Sequence, residues 1–292
     1  MAVTRPRTGT EIRPIVEADV RRAAEFLHAN FKSRTAAADW AAAIDVPWQV
    51  ESPNMGFMLL DGERVVGAYF AVYSDRVIDG RRERFCNLGA WCVLPEYRFH
   101  SLRLLQALLA QDGYHFTDLS PSPAVAVLNS RLGFRFLDTS TALVPNLPWP
   151  SWPGRSVISS DPALIERTLT GRELELYRDH RAAAVARHLV LLQDDEWCYV
   201  VFRKDRRKKL PVFASILYVS HPGLFRAMAR PLARHLLVRH GALATLAEHH
   251  VVKHRPRPSY RLPKPRPRMF LSPYLEPAQI DYLYSELVCT KW

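Results

Sequence analysis

Apolar positions along the first 145 residues alternate between the period of a helix and that of a strand, which predicts a mixed α/β chain. Glu11 to Ile15 reads as a short strand. From Ala18 to Phe31, Val20, Ala23, Ala24, Leu27 and Phe31 recur at helical spacing, with Asp19 in the first turn, where a carboxylate suits the helix dipole. Thr35 to Ile44 predicts a second helix. Gly56 to Leu60 and Arg64 to Tyr73 form a hairpin across Asp61-Gly62, a pair that readily supplies the positive φ of a tight turn. A long strand, Arg84 to Leu94, ends at Pro95. His100 to Gln111 follows as a helix with Leu102, Leu105, Leu108 and Leu109 on its apolar face, stopped by Gly113. Tyr114 to Leu119 is a strand, Ala124 to Leu132 a short helix ended by Gly133, and Phe134 to Leu143 the last strand of this region.

Pro145 to Gly154 reads PNLPWPSWPG, which excludes regular helix and a central strand. It predicts a boundary, giving a first domain at 1–145, a Pro/Trp-rich linker at 146–160 and a second domain at 161–292. Beyond the linker the pattern partly recurs: MLLDGERVVGAYF in the first region is echoed by VLLQDDEWCYVVF in the second. Val212 to Ser220 is then a strand ended by His221-Pro222-Gly223, followed by a helix with Phe225, Met228, Leu232 and Leu236 inward. Pro231 inside that pattern predicts a kink or an early end to its first segment. Pro95 to Gly113 spans 18 positions and Pro222 to Gly241 spans 19, as an internal duplication would leave them. Tyr282 to Val288 is expected to close the second sheet.

Charge separates the halves. Residues 1–155 carry 17 Lys and Arg against 16 Asp and Glu, and residues 156–292 carry 23 against 13, so nearly all of the net +11 lies in the second half. Arg203 to Lys209 and Lys253 to Arg268 concentrate it, and such runs either solvate a surface or attract polyanions. Against nucleic acid, the second run offers one aromatic, Tyr260, where stacking platforms usually offer several. Arg226, Arg230 and Arg234 recur every four residues and would share a helix face. No apolar run has the length of a membrane span and no signal peptide is visible, so a cytoplasmic location is expected. Cys86, Cys92, Cys198 and Cys289 form no CxxC pair and read as reduced thiols. His249, His250 and His254 lack the HExxH pattern and are followed by prolines, so no metal site is assigned.

The chemistry concentrates at Val93-Leu94-Pro95-Glu96-Tyr97-Arg98-Phe99-His100-Ser101-Leu102-Arg103, where a strand ends in proline, a basic residue and a helix start, an arrangement suited to anions. Here the sequence resembles the GNAT (GCN5-related N-acetyltransferase) superfamily, whose signature V-x-P-x-[YF]-R-x-x-G-x-G it matches at Val93, Pro95, Tyr97 and Arg98. Leu128-Asn129-Ser130-Arg131-Leu132-Gly133-Phe134 resembles the family's second landmark, one strand downstream. The resemblance covers about residues 11 to 143, with a fainter echo in 171 to 290. It implies a tandem GNAT-like fold with a degenerate second copy, and acetyl-CoA or another acyl-CoA as co-substrate, without a metal. It further implies a cofactor site at Cys92, Val93, Leu94, Arg98, Phe99, His100, Ser101, Leu102 and Arg103, with Ser122 where an asparagine commonly faces the pantetheine arm.

The departures from the signature define the questions. Ser101 and Arg103 stand where the family has glycine, which lets a backbone approach a pyrophosphate closely. Arg103 must therefore turn away from the loop or pair with phosphate. Asn129 replaces the tyrosine that many members use as general acid, and it has no titratable proton. The strand offers Asn87 and Trp91 but no carboxylate, which leaves Glu83 or a residue of the second half as base. Cys92 has no visible activating partner and reads as a small buried side chain. The expected function is acyl transfer to an amine, or a hydroxyl, of an anionic small-molecule, sugar-linked or peptide-linked acceptor. The rival is a catalytically silent scaffold whose basic loop binds nucleic acid or an acidic partner.

Overall fold

The computed structural model describes residues 9–31, 33, 35–150, 156–207 and 210–291. Lys208 and Lys209 of the first basic run and residues 151–155 of the Pro/Trp segment lie outside them. Strands β1 (Thr10–Pro14), β2 (Gly56–Asp61), β3 (Arg64–Ile78), β4 (Arg81–Val93) and β5 (His115–Asp118) come first. Helices α1 (Val20–Asn30) and α2 (Ala37–Ile44) separate β1 from β2, and α3 (Ser101–Leu109) separates β4 from β5. Next are α4 (Pro123–Arg131), β6 (Arg135–Phe136), β7 (Thr141–Pro145) and β8 (Ser156–Ser159). Helices α5 (Pro162–Thr168) and α6 (Gly171–His180) precede β9 (Arg187–Gln193), β10 (Glu196–Arg207) and β11 (Leu210–Val219). Then come α7 (Pro222–Ala227), α8 (Ala229–His240), β12 (Ala244–Glu248), α9 (His249–Val252), β13 (Tyr260–Arg261), β14 (Met269–Leu271) and α10 (Glu286–Cys289).

Two compact units result, each with its own core. The first comprises the described residues up to Leu119, Phe270–Tyr274 and the segment from Tyr284; the second comprises Ser120–Met269 and Leu275–Leu283. In the first, β1 to β4 pair antiparallel in chain order, β5 joins β4 in parallel, and Phe270 and Leu271 of β14 follow β5. Helix α1 packs its buried Ala23, Ala24, Phe26 and Leu27 against β3 and β4. Helix α3 packs on β2 and β3 through Leu104, Leu105 and Leu108, each contributing about 1.5–3 kcal/mol by leaving water. Leu102, expected inward, is instead exposed, because a 3₁₀ run over Pro95–His100 delivers the chain to α3 with a different face toward the sheet.

Strand β4 sets the shape of this sheet. Its parallel pairing with β5 covers Phe85–His115, Cys86–Phe116 and Asn87–Thr117 and stops there. Its pairing with β3 then skips, from Ala71–Leu88 to Tyr69–Trp91, so β4 carries one extra residue in a β-bulge. Gly89 lies in this bulge, and a Cβ there would stand 2.5 Å from Phe70 Cδ1.

The second unit repeats this order. β8 pairs β9, β9 pairs β10 and β10 pairs β11, all antiparallel, and β12 joins β11 in parallel. Two helices lie between β8 and β9, as between β1 and β2. Strand β11 also bulges just past its parallel pairing, between Tyr218 and Ile216, and Pro222 opens α7 as Pro95 opens the 3₁₀ run. This shared topology is consistent with the duplication expected from the sequence. Pro231 has the expected effect: the helix divides at Met228, and Pro231 sits in the first turn of α8, where its missing N–H is least costly.

Several expectations are corrected. The strand foreseen over Phe134 to Leu143 splits, and its later part, β7, pairs antiparallel with β12 in the second unit. Asn146 extends that union, its amide donating to Leu243 O at 2.9 Å and its Nδ2 to Ala242 O at 2.9 Å. Along the chain, the first break between the two compact units lies at Leu119–Ser120. Tyr282 to Val288 forms no strand: Tyr284 takes φ +54°, Ser285 caps α10, and α10 belongs to the first unit. After β12 the second unit continues into the four-residue α9.

Gly89→Ala should destabilise the protein by about 1–3 kcal/mol, the usual cost of overpacking. Urea denaturation measures it, and a Phe70→Leu background should remove most of the penalty. An equal penalty in both backgrounds would mean the clash with Phe70 is not its source.

Candidate functional site

The open edge of β4 is the centre of the candidate site. Beyond Asn87, Leu88, Trp91, Cys92 and Val93 of β4 pair with β3 and none with β5. Along a strand successive amides point to opposite edges. The Leu94 amide donates to Val66 O of β3 at 2.9 Å, so the Val93 amide faces the other edge, which β5 has left. Of Cys92, Val93 and Leu94, then, only Val93 presents its N–H to the opening. The indole of Trp91 stacks on Tyr69, with ring centroids 4.7 Å apart and planes 4° from parallel, which stiffens the strand at this point.

The turn after β4 is held from beneath. Tyr97 is buried and its hydroxyl donates to Asp61 Oδ2 at 2.6 Å, which ties the 3₁₀ run to the β2–β3 turn. That carboxylate, accepting from the phenol, is the main cause of the upward shift in the Tyr97 pKa. Arg98 is exposed and makes no ion pair among the described residues, Phe99 is 98% exposed, and His100 is partly exposed. Both the amide and the hydroxyl of Ser101 go to Arg98 O, the hydroxyl at 2.7 Å. Ser101 is therefore spent inside the helix start. Arg103 turns away: its Nη1 donates to Thr10 Oγ1 at 3.0 Å and to Thr10 O at 3.2 Å. Of the two courses open to Arg103, the side chain takes the one that leaves the loop.

The remaining candidates have structural employment. Asn87 is fully buried; its Nδ2 donates to Thr117 Oγ1 at 3.0 Å and Thr117 O at 3.3 Å, and its Oδ1 accepts from the Glu286 amide at 3.1 Å. Glu83 lies ten residues before Val93 on β4, roughly 33 Å along an extended strand, so it does not reach the opening. Its Oε2 accepts from Tyr274 Oη at 2.6 Å and from His115 Nε2 at 3.1 Å. Cys92 is half-buried, and burial pushes its thiol pKa up, away from a nucleophile. Burial likewise pushes Cys86 up to about 12 and Cys198 up to about 11. Ser122 caps α4, accepting from the Val125 amide at 3.3 Å, and Asn129 on α4 is fully buried.

Sequence reasoning missed Tyr274, His115 and Thr117, the partners of Glu83 and Asn87. No sequence signal marks them, since Tyr274 lies 191 positions from Glu83. Among the described residues no group of three or more His, Cys, Asp or Glu could hold a metal ion: His250 Nε2 is engaged by Ile280 O at 2.6 Å and His254 Nδ1 by Val252 O at 2.7 Å. Nor is any described helix long and apolar enough to cross a membrane.

No protein-family model matches the chain, and no curated protein matches it. Solved structures do. A GCN5-related N-acetyltransferase from Anabaena variabilis superposes with a TM-score of 0.57 at 12% identity, covering 90% of this chain and 72% of that one. A GCN5-related N-acetyltransferase from Kribbella flavida gives 0.54 at 17% identity, covering 90% and 71%. Saccharomyces cerevisiae N-myristoyltransferase with bound myristoyl-CoA gives 0.52 at 9% identity, covering 90% and 82%. At these identities the likeness is one of fold: the chain has the mixed α/β fold of GNAT-type acyltransferases.

The Glu83 cluster makes a pH prediction. Hydrogen bonds from Tyr274 and then His115 hold the Glu83 carboxyl below its ordinary value. A depressed folded-state pKa adds stability above the unfolded value, near 4.3, that is lost as pH falls through the folded value. Glu83→Gln should thus unfold at lower denaturant than wild type at pH 7, with the gap closing below about pH 4. A gap that stays constant from pH 7 to 3 would show that the carboxylate charge is not the stabilising element.

Proposed function

We propose that the protein is an acyl-CoA-dependent acyltransferase whose first unit holds the thioester at the open edge of β4. The observation that carries this reading is the end of β4–β5 pairing at Asn87–Thr117, with the Val93 amide facing the gap. An extended amide-bearing chain such as a pantetheine arm can occupy such an edge as a missing strand would. Acyl-CoA supplies the activated acyl group. The Val93 N–H would polarise the thioester carbonyl, and a fixed dipole aimed at developing negative charge needs no reorganisation during reaction. Arg98, exposed at the turn after β4, would take the pyrophosphate by charge-assisted hydrogen bonds. Neighbours of the same fold include the yeast enzyme with bound myristoyl-CoA, which supports an acyl-CoA donor.

The acceptor is an amine in this reading: its nitrogen forms a bond to the acyl carbon as the C–S bond breaks. No carboxylate of β4 reaches the opening, Glu83 being engaged far along the strand; in this reading the amine proton leaves to water, and the coenzyme A thiolate released from the C–S bond takes a proton from water. An acetyl donor and a cytoplasmic setting belong to the same proposal. A second reading has its own observation: the Ser101 amide and hydroxyl are both consumed by Arg98 O, which removes donors a phosphate loop would offer and suits a silent scaffold.

Titration calorimetry with coenzyme A and acetyl-CoA tests the proposal. Arg98→Ala should weaken binding roughly ten- to a hundred-fold, the loss of one charge-assisted contact of about 1.5–3 kcal/mol, with thermal stability nearly unchanged. Arg103→Gly should alter affinity by less than about threefold, because its guanidinium is held at Thr10. No binding by wild type at millimolar coenzyme A sinks the acyltransferase reading and leaves the scaffold.

A further inference from the structure

Among the described residues, three adjoining cavities in the second unit are lined by seven arginines and a single carboxylate. Arg226, Arg230, Arg255 and Arg257 line the first, of about 690 Å³. Arg230 also lines the second, of about 710 Å³, with Arg234, Arg239 and Trp149. Arg255 also lines the third, of about 300 Å³, with Arg261 and the one carboxylate, Asp138. Arg230 and Arg255, each lining two of the three, place them side by side. None of the seven forms an ion pair among the described residues, whereas Arg135, Arg172, Arg178, Arg181 and Arg268 of the same unit each face a carboxylate. Concave walls of one sign focus the field and concentrate counter-ions.

The extent of the run narrows the ligand. Arg230 to Arg239 alone covers about 14 Å along α8 at ~1.5 Å per residue, and the other two cavities extend it past Arg230. That is more than one diphosphate can neutralise. Pro256 fixes φ between Arg255 and Arg257, lowering the entropy lost on ordering them. Trp149 has the Arg230 guanidinium 5.1 Å from its ring centroid, and Tyr260, 72% exposed, precedes Arg261. Aromatic faces beside cations are the elements that bind unpaired bases along a phosphate chain.

We infer that this run binds a flexible, linear phosphate polyanion, a single-stranded oligonucleotide or inorganic polyphosphate, independently of the acyl-CoA reading. Fluorescence anisotropy of a labelled 12-nucleotide single-stranded RNA, read across a salt series, tests it. Each phosphate contact adds about −0.7 to the slope of log K against log salt. Arg226→Gln with Arg255→Gln should make that slope shallower by about 1.4 and weaken binding at least roughly tenfold. Arg178→Gln with Arg181→Gln removes the same charge elsewhere and should leave the slope unchanged. RNA binding weakened by Trp149→Ala identifies a nucleotide chain; polyphosphate binding that needs Arg226 and Arg255, without RNA binding, identifies the inorganic chain. Equal losses in both double variants, displacement by pyrophosphate as effective per phosphate as by polyphosphate, or no binding of either polymer at 50 mM salt would overturn the inference.

Discussion

The amide of Asn87 makes three hydrogen bonds in a fully buried setting, two to Thr117 and one from the Glu286 backbone, and the architecture of the first unit depends on them. A buried amide left unsatisfied costs on the order of 1–3 kcal/mol per group, so these bonds hold the last rung between β4 and β5 in place. The bulge at Gly89 follows at once, and beyond it β4 runs on with one neighbour instead of two. The same side chain anchors the start of α10, which lies 199 positions away in sequence. One buried polar residue thus bonds both the last rung of the β4–β5 pairing and the start of α10.

The two units share strand order, the bulge in the central strand and a proline at the following helix start, yet their corresponding ends differ in chemistry. In the first, Tyr97 pins the turn to Asp61 and leaves Arg98 exposed. In the second, the His221 ring itself caps α7, its Nδ1 accepting from the Leu224 amide at 3.0 Å. Helix α9 packs on β11 with Val252 fully buried, so apolar side chains occupy the ground beyond the parallel pairing. The second unit carries its charge on α7, α8 and the proline-rich run instead. Arg268 of that run is structural, bidentate on Glu248 at 2.6 and 2.9 Å and 4.1 Å from the Tyr282 ring centroid.

Legibility of the candidate site varied with how local each residue's partners are. The turn of Val93 to Arg98 could be read because strand, proline, aromatic and arginine lie within six positions and their roles follow from backbone direction. Arg103 could be read only as a pair of alternatives, since the deciding partner, Thr10, is 93 positions away. Glu83 was attractive as the carboxylate of β4 itself, but ten residues of extended chain separate it from the opening, a distance that helical packing would have shortened and a strand does not.

What the sequence by itself determined is the set of elements whose signals are short-range: the amphipathic helices, the Asp61-Gly62 hairpin, the proline stops, and the partial recurrence of strand and helix signals. These follow from turn chemistry and from periods of 2 and 3.6, which act over a few residues. Tertiary structure alone decided where β7 and the 282–290 segment belong. Strand β7 satisfies the free edge of β12, and any strand of suitable length offers the same backbone groups, so its side chains do not announce that choice. Residues 282–290 are buried throughout and show no period to distinguish strand from loop and helix; long-range contacts such as the Glu286 bond to Asn87, together with the positive φ at Tyr284 and the Ser285 cap, set their course.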